Sequence, residues 1–175
     1  LGVAMGAKVI AAVSSEEKLE LAKRHGASDG IVYPRGPFDR DGQKALAEQF
    51  KTACGKHGAD VVYDAVGGDY AEPALRTLGW GGRYLPIGFA AGIPVLPMNL
   101  PLLKSLDICG VFYGAFTERD PAHNAELVAE LMDLAEQGRL GRAAPQTYPL
   151  ARGGEAIAAL ANRTAIGKVV VTIGD

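Results

Sequence analysis

The sequence predicts an α/β fold in which a doubly wound parallel sheet carries helices on both faces. Three observations predict it. Apolar runs of strand length alternate with amphipathic stretches of helix length along the whole chain, the order that makes parallel strands joined by crossover helices. The strand runs are nearly continuously apolar, as in KVIAAV and ADVVY, which suits strands covered on both faces. Glycine, proline or a polar pair then punctuates most junctions, where the chain must turn.

In chain order, LGVAMGAK reads as the last turns of a helix already under way, so a longer protein is expected. Val9 to Val13 form the first strand. Ser14 stands three residues before Glu17, the spacing of a capping box, and predicts a helix start. That helix runs through KLELAKRHG with Leu19, Leu21 and Ala22 inward, and Gly26 stops it. GIVY is a short strand ending at Tyr33 and Pro34, residues 35–42 read as a loop, and a helix follows over Gln43 to Cys54. ADVVYDAVGG is a buried strand ended by two glycines, followed by a helix over Tyr70 to Leu78 and a strand GRYLPIGF. PMNLPLLKSLD is a loop with a short helical turn, and DICGVFYG reads as a strand rich in β-branched and aromatic residues. The longest helix spans Pro121 to Gln137, with Leu127, Leu131 and Leu134 on one face and Gly138 after it. PQTYPL is extended, LARGGEAIAALANR is a helix and GKVVVTIG a final strand. No repeat or internal boundary is evident, so 1–175 is expected to be one domain.

The 175 residues, 48% of them hydrophobic, suffice for a sizeable core. A net charge of -2 gives no electrostatic case for nucleic acid or an anionic membrane. No apolar stretch reaches the length of a membrane span. Cys54 and Cys109 make neither a CxxC pair nor a disulfide framework, so a reducing cytoplasm is expected. His25, His57 and His123 are scattered, and with the two cysteines they form no tetrahedral metal set.

The ends of the strands hold the candidate chemistry. A dinucleotide fold that takes NAD places a carboxylate at the end of its second strand, to accept from the ribose hydroxyl. Here the first strand of the chain ends in Ser14 and Ser15, with Lys18 one turn on. Hydroxyls and an ammonium suit a 2′-phosphate that a carboxylate would repel. Ser14 as an N-cap and Lys18 as a solvated helix residue is the strong alternative, and Glu16 and Glu17 count against a phosphate there. Val66-Gly67-Gly68, Gly88-Phe89-Ala90 and Gly110 to Gly114 close three strands with glycine, which lets backbone approach a ligand; tight turns alone would also explain them. Asp64, at the end of a buried strand, is either functional or a cap on neighbouring backbone.

The succession MGAKVIAAVSSEEKLELAKRHGAS, GADVVYDAVGG, ALRTLGWGGRYLPIGFAAG, LLKSLDICGVFYGAF and ANRTAIGKVVV resembles the cofactor half of a medium-chain dehydrogenase/reductase. The branch it resembles is the zinc-free, NADPH-dependent quinone oxidoreductases, ζ-crystallin-like. The resemblance implies a Rossmann-type domain and hydride transfer from NADPH to a quinone or related enone. A zinc-dependent alcohol dehydrogenase of the same superfamily and a non-catalytic dinucleotide-binding module are the alternatives. By resemblance Ser15, Lys18 and Tyr33 match positions holding the 2′-phosphate and adenosine. Val66 and Gly67 match the turn at the adenine ribose, and Gly88, Phe89 and Ala90 the turn near the nicotinamide ribose. Val111, Phe112 and Tyr113 match the nicotinamide end; Arg163 and Lys168 match the segment closing on the cofactor. No residue is assigned as catalytic. The family's first strand, its Gly-rich phosphate loop and its substrate domain have no counterpart in these residues. That strand is central in the family, so an open slot in the sheet is expected, together with low stability or a partner chain filling it. The resemblance also implies a homodimer through Ile108–Tyr113.

Overall fold

The computed structural model describes residues 1–141 and 144–174. Its strands are β1 (Ile10–Val13), β2 (Asp29–Val32), β3 (Ala59–Asp64), β4 (Leu78–Pro86), β5 (Asp107–Ile108), β6 (Gln146–Pro149) and β7 (Val169–Thr172). Its helices are α1 (Glu16–Arg24), α2 (Arg40–Cys54), α3 (Ala71–Thr77), α4 (Asn99–Lys104), α5 (Tyr113–Arg119), α6 (Pro121–Glu136) and α7 (Gly153–Ala161). Every strand pairing among the described residues is parallel, as the alternation of runs predicts.

The chain divides into two compact units, Lys8–Glu130 and a second made of Leu1–Ala7 with residues from Leu131 onward. The second holds the β6–β7 pair, in register from Gln146 opposite Val169 to Pro149 opposite Thr172, with α7. There the Arg139 guanidinium donates to the Ala4 carbonyl. The first segment makes hydrogen-bonded turns, Met5 N–H to Leu1 O at 3.0 Å and Ala7 N–H to Gly2 O at 2.9 Å.

The Lys8–Glu130 unit carries two sheets, β2–β1 and β3–β4–β5. Among the described residues the free edges of β1 and β3 pair with no strand, so the parallel order is interrupted between them. The apolar strands are also not covered on both faces as their sequences predict. Most of β1 is half-buried, and Val61 and Tyr63 of β3 are exposed. Below the sheet, Leu46, Ala47 and Phe50 make the buried face of α2, and Ala71, Leu75, Leu78, Tyr84, Leu100 and Leu106 form one core cluster. Leu106 thus turns inward, while Leu102 and Leu103 stay exposed at 81% and 64%.

Several boundaries differ from the sequence reading, each for a local reason. Asp39 accepts from the Gly42 amide at 2.8 Å and caps α2, so the helix starts at Arg40, inside the expected loop. Leu78 leaves α3 directly in an extended conformation, φ −58° and ψ 140°, so β4 begins before the expected Gly82. Its ladder pairs Ala59 with Leu78 and then Val61 with Arg83; Gly79-Trp80-Gly81-Gly82 bulges out between them. The expected strand DICGVFYG is cut to Asp107–Ile108, and Tyr113 instead opens α5. Cys109 N–H to Tyr84 O at 2.9 Å and Val111 N–H to Pro86 O at 3.4 Å continue the contact with β4, but a helical turn from Phe116 N–H to Phe112 O draws the chain away.

Candidate functional site

The carboxyl ends of the strands in the Lys8–Glu130 unit gather most of the predicted residues. At the end of β1 the helix cap is Ser15, not Ser14: its Oγ accepts from the Lys18 amide at 3.3 Å. The reason is that α1 starts at Glu16, one residue later than the capping-box spacing suggests. Ser14 is thereby released from capping, and its Oγ accepts from the Lys18 ammonium at 3.1 Å. A hydroxyl and an ammonium therefore meet at the mouth of a nine-residue helix, where the helix dipole also favours an anion. Glu16 and Glu17, both exposed, occupy the first turn where their charge offsets the same dipole.

Tyr33 is brought alongside, because its amide donates to Val13 O at 2.9 Å. Its ring lies 5.0 Å from that of Tyr70, at 56°, and Phe38 meets Tyr70 edge-on at 5.1 Å. The Tyr70 hydroxyl accepts from Gly36 N–H at 2.9 Å, and Asp69 Oδ2 accepts from Phe38 N–H at 3.1 Å. Tyr70, which the sequence reading passes over, thus ties the segment after β2 to the turn after β3.

That turn and the next are one assembly. Val66 and Gly67 amides donate to Asp64 Oδ1 at 2.8 and 3.0 Å. Ile87 and Gly88 amides donate to the Asp64 carbonyl at 2.8 and 3.3 Å. Gly68 N–H to Gly92 O and Ala91 N–H to Val66 O, both 2.7 Å, then lace the two turns together. Gly67 and Gly68 adopt φ of 67° and 54°, and a Cβ on Gly68 would stand 2.5 Å from the Ala91 carbonyl oxygen, so only glycine fits this approach. The amides of Val66 and Gly67, which glycine was expected to free for a ligand, are consumed inside the chain. The β3 turn is left with Cα, carbonyl and side-chain surface facing outward.

Gly88, Phe89 and Ala90 sit in this assembly, with the Phe89 ring exposed. Val111, Phe112 and Tyr113 follow β5 at the same end; Phe112 is 79% exposed, and the Tyr113 hydroxyl donates to Asn124 Oδ1 at 2.7 Å. Arg163 and Lys168 lie in the other unit. Arg163 has a positive φ of 58° after α7, and the Lys168 carbonyl accepts from Gln146 N–H at 2.8 Å.

Asp64 and Tyr84 are the buried polar pair of the site, 7% and 1% exposed. The Tyr84 hydroxyl donates to Asp64 Oδ2. Burial first, and then Asp64, push the phenol far above its ordinary range, so it stays a donor. The signal for Asp64 was present, an Asp two residues before a glycine turn; nothing local marks Tyr84, which lies opposite Val62 in the register and leans along its strand.

A cleft of about 600 Å³ lies elsewhere, lined by Lys51, Lys56, His57, Arg76, Trp80 and Lys104 among others. Lys51, Arg76 and Lys104 occupy the last turns of α2, α3 and α4, where cations offset helix carbonyls. Lys104 donates to Arg76 O at 2.8 Å and Leu78 O at 2.7 Å. Burial, then Lys51 and Arg76, hold its ammonium below the ordinary lysine value. Lys104 thus caps the end of α3, while Arg76 and Lys51 pair with Glu72 and Glu48 on their own helices.

Among the described residues no group of three His, Cys, Asp or Glu is placed to hold a metal ion, and no helix is long and apolar enough to cross a membrane. Comparison with known proteins gives a consistent family. The model of a family described as zinc-binding dehydrogenase matches residues 1–133. Quinone oxidoreductase-like protein 2 of Rattus norvegicus is 33% identical over 168 residues, covering 95% of this chain and 46% of that protein. A mycobacterial protein solved in complex with NADPH aligns with a TM-score of 0.82 at 27% identity, over 97% of this chain and 50% of that one. The quinone oxidoreductase of Pseudomonas syringae pv. Tomato DC3000 aligns at 0.77 and 26% identity, over 97% and 50%. The chain spans about half the length of the relatives it matches. Its fold is the Rossmann-type fold of these neighbours.

Proposed function

Since the chain belongs to the zinc-binding dehydrogenase family, we propose that it is the nucleotide-binding domain of an NADPH-dependent reductase of quinones or related enones. The observation that carries the reading is the Lys18 ammonium on the Ser14 hydroxyl, 3.1 Å apart, at a strand end that bears no carboxylate. That donor set fits a 2′-phosphate and fits an NAD ribose poorly. NADPH, when bound, supplies a hydride. The chain's own residues would hold and orient it. Lys18, Ser14 and Ser15 take the phosphate, Tyr33 the adenosine, and the laced turns at Val66, Gly67, Gly88, Phe89 and Ala90 the two riboses. The exposed rings of Phe89 and Phe112 would shed water from the far end. Arg163 and Lys168 are assigned to the same cofactor by resemblance alone. The family description names zinc, but the described residues supply no ligand set for it, and orientation with water exclusion is the catalytic contribution left to this chain.

The test is NADPH oxidation by the full-length protein with 1,4-benzoquinone as acceptor, run with and without a zinc chelator. Turnover that survives chelation and prefers NADPH over NADH is expected. Loss of turnover on chelation would favour the alcohol dehydrogenase alternative, and tight NADPH binding without turnover would favour a binding module. Cys54 and Cys109 are free thiols, as a reducing cytoplasm would keep them.

The full-length protein would pair with a second copy through Ile108–Tyr113. Supporting this, Val111 and Phe112 are exposed there, and so are Leu102 and Leu103 just before β5, apolar side chains that a partner copy would cover. Val111→Lys should convert a sedimenting dimer into monomer; an unchanged sedimentation coefficient would reject the interface.

A further inference from the structure

We infer that Asp64 is the positioning residue of this site, and that Tyr84 sets it, so that one residue fixes the glycine turns after β3 and β4 as a single piece. The inference rests on the NADPH reading above. Its ground is the number of bonds that meet at one residue. The carboxylate takes the Val66 and Gly67 amides through Oδ1 and the Tyr84 hydroxyl through Oδ2. The carbonyl of the same residue takes the Ile87 and Gly88 amides. None of the ion pairs among the described residues includes Asp64, so its charge is met by N–H and O–H donors alone. A buried carboxylate held this way is costly unless each bond is made. An ordinary turn cap would tie only its own turn; this carboxylate also reaches β4 through the Tyr84 hydroxyl, while the Asp64 carbonyl continues the β3–β4 ladder as any residue's would.

The arrangement matters for a ligand because most of the turn amides are already spent, all of the β3 turn's among them. Val66, Gly67, Gly68, Ile87, Gly88, Ala91 and Gly92 all donate within the chain. A nucleotide laid along the strand ends therefore meets a β3 turn whose position it does not correct by bonding to the amides of Val66, Gly67 and Gly68. Starting from the Lys18 seat at β1, it reaches the β3 turn first and the β4 turn one strand, about 4.8 Å, further on. An adenosine fragment touches the first turn; the whole dinucleotide needs both in register.

The experiment uses full-length protein and the variants Tyr84→Phe, Asp64→Asn and Asp64→Ala. Dissociation constants are measured for NADPH, for NADH and for adenosine 2′,5′-bisphosphate, with a thermal melt of each variant. Asp64→Ala should weaken NADPH and NADH alike, by about 30-fold, and Tyr84→Phe by about 5-fold, the size of one lost hydrogen bond. Adenosine 2′,5′-bisphosphate should lose far less than NADPH in both variants. Asp64→Asn should return to within about threefold of wild type, because its Oδ1 still accepts both amides and its Nδ2 can donate to the Tyr84 hydroxyl, which turns from donor to acceptor. If Asp64→Ala does not fold, Tyr84→Phe, which removes one oxygen, carries the test. A lowered melting temperature with unchanged NADPH affinity, or equal losses for NADPH and the bisphosphate, would overturn the assignment. Wild-type protein that binds no NADPH would overturn the cofactor reading and this inference with it; wild-type binding with unaltered variants overturns this inference alone.

Discussion

Lys18→Ala in the full-length protein should weaken NADPH by about 1–3 kcal/mol, roughly 5- to 150-fold, and leave NADH within about twofold. Paired titrations of the two cofactors on wild type and variant read the difference directly. The expectation follows from the exchange at the start of α1. Because Ser15 takes the cap, Ser14 and the Lys18 ammonium face one another at 3.1 Å as a preformed pair of donors. Lys18→Glu should cost more, since it adds a repelled carboxylate to a lost cation. The bland reading, in which Lys18 is a helix residue and nothing more, predicts equal changes for both cofactors, and that result would remove the phosphate seat. Salt should blunt the preference as well, because the contact is partly exposed and screened.

The second large effect concerns stability. Leu75→Ala should destabilise the fold by about 3–4 kcal/mol, within the 2–5 kcal/mol range of buried leucine truncations, measured by urea unfolding. Leu75 is 0% exposed and packs among Ala71, Leu78, Tyr84, Leu100 and Leu106, so the void has little around it free to collapse. Leu127→Ala, on an exposed part of α6, is the matched control and should cost under about 1 kcal/mol. Equal costs at the two positions would mean that the α3–β4 cluster is not the core.

Much of this fold is legible in the sequence where local chemistry decides. Asp64 followed by Val66-Gly67-Gly68 marks a strand end, and Gly138, with φ of 69°, stops the long helix as its position predicts. Where two local signals compete, the reading slips by a residue or more. Ser14 and Ser15 both suit a cap, and only the register of α1 chooses between them. YGAFTER begins with aromatic residues that read as strand, yet the Phe116 to Phe112 hydrogen bond makes it helix. Burial was the least legible property. Val61 and Tyr63 are apolar in sequence and exposed in the structure, because cover depends on what lies beside β3, which no window of residues contains. The Asp64–Tyr84 pair escaped for a related reason: it is made across β3 and β4, by residues distant in the chain.

The lacing of the two glycine turns has a thermodynamic consequence. Hydrogen bonds that hold a loop from within the chain restrict it whether or not a ligand is present, so the entropy of ordering is charged to folding and not to association. A cofactor held as proposed would then immobilise itself and a few side chains, chiefly the long arm of Lys18 and the rings of Phe89 and Phe112, over backbone already hydrogen-bonded within the chain. Affinity gained this way is a matter of prearranged shape, and it shows in slow release more than in fast capture.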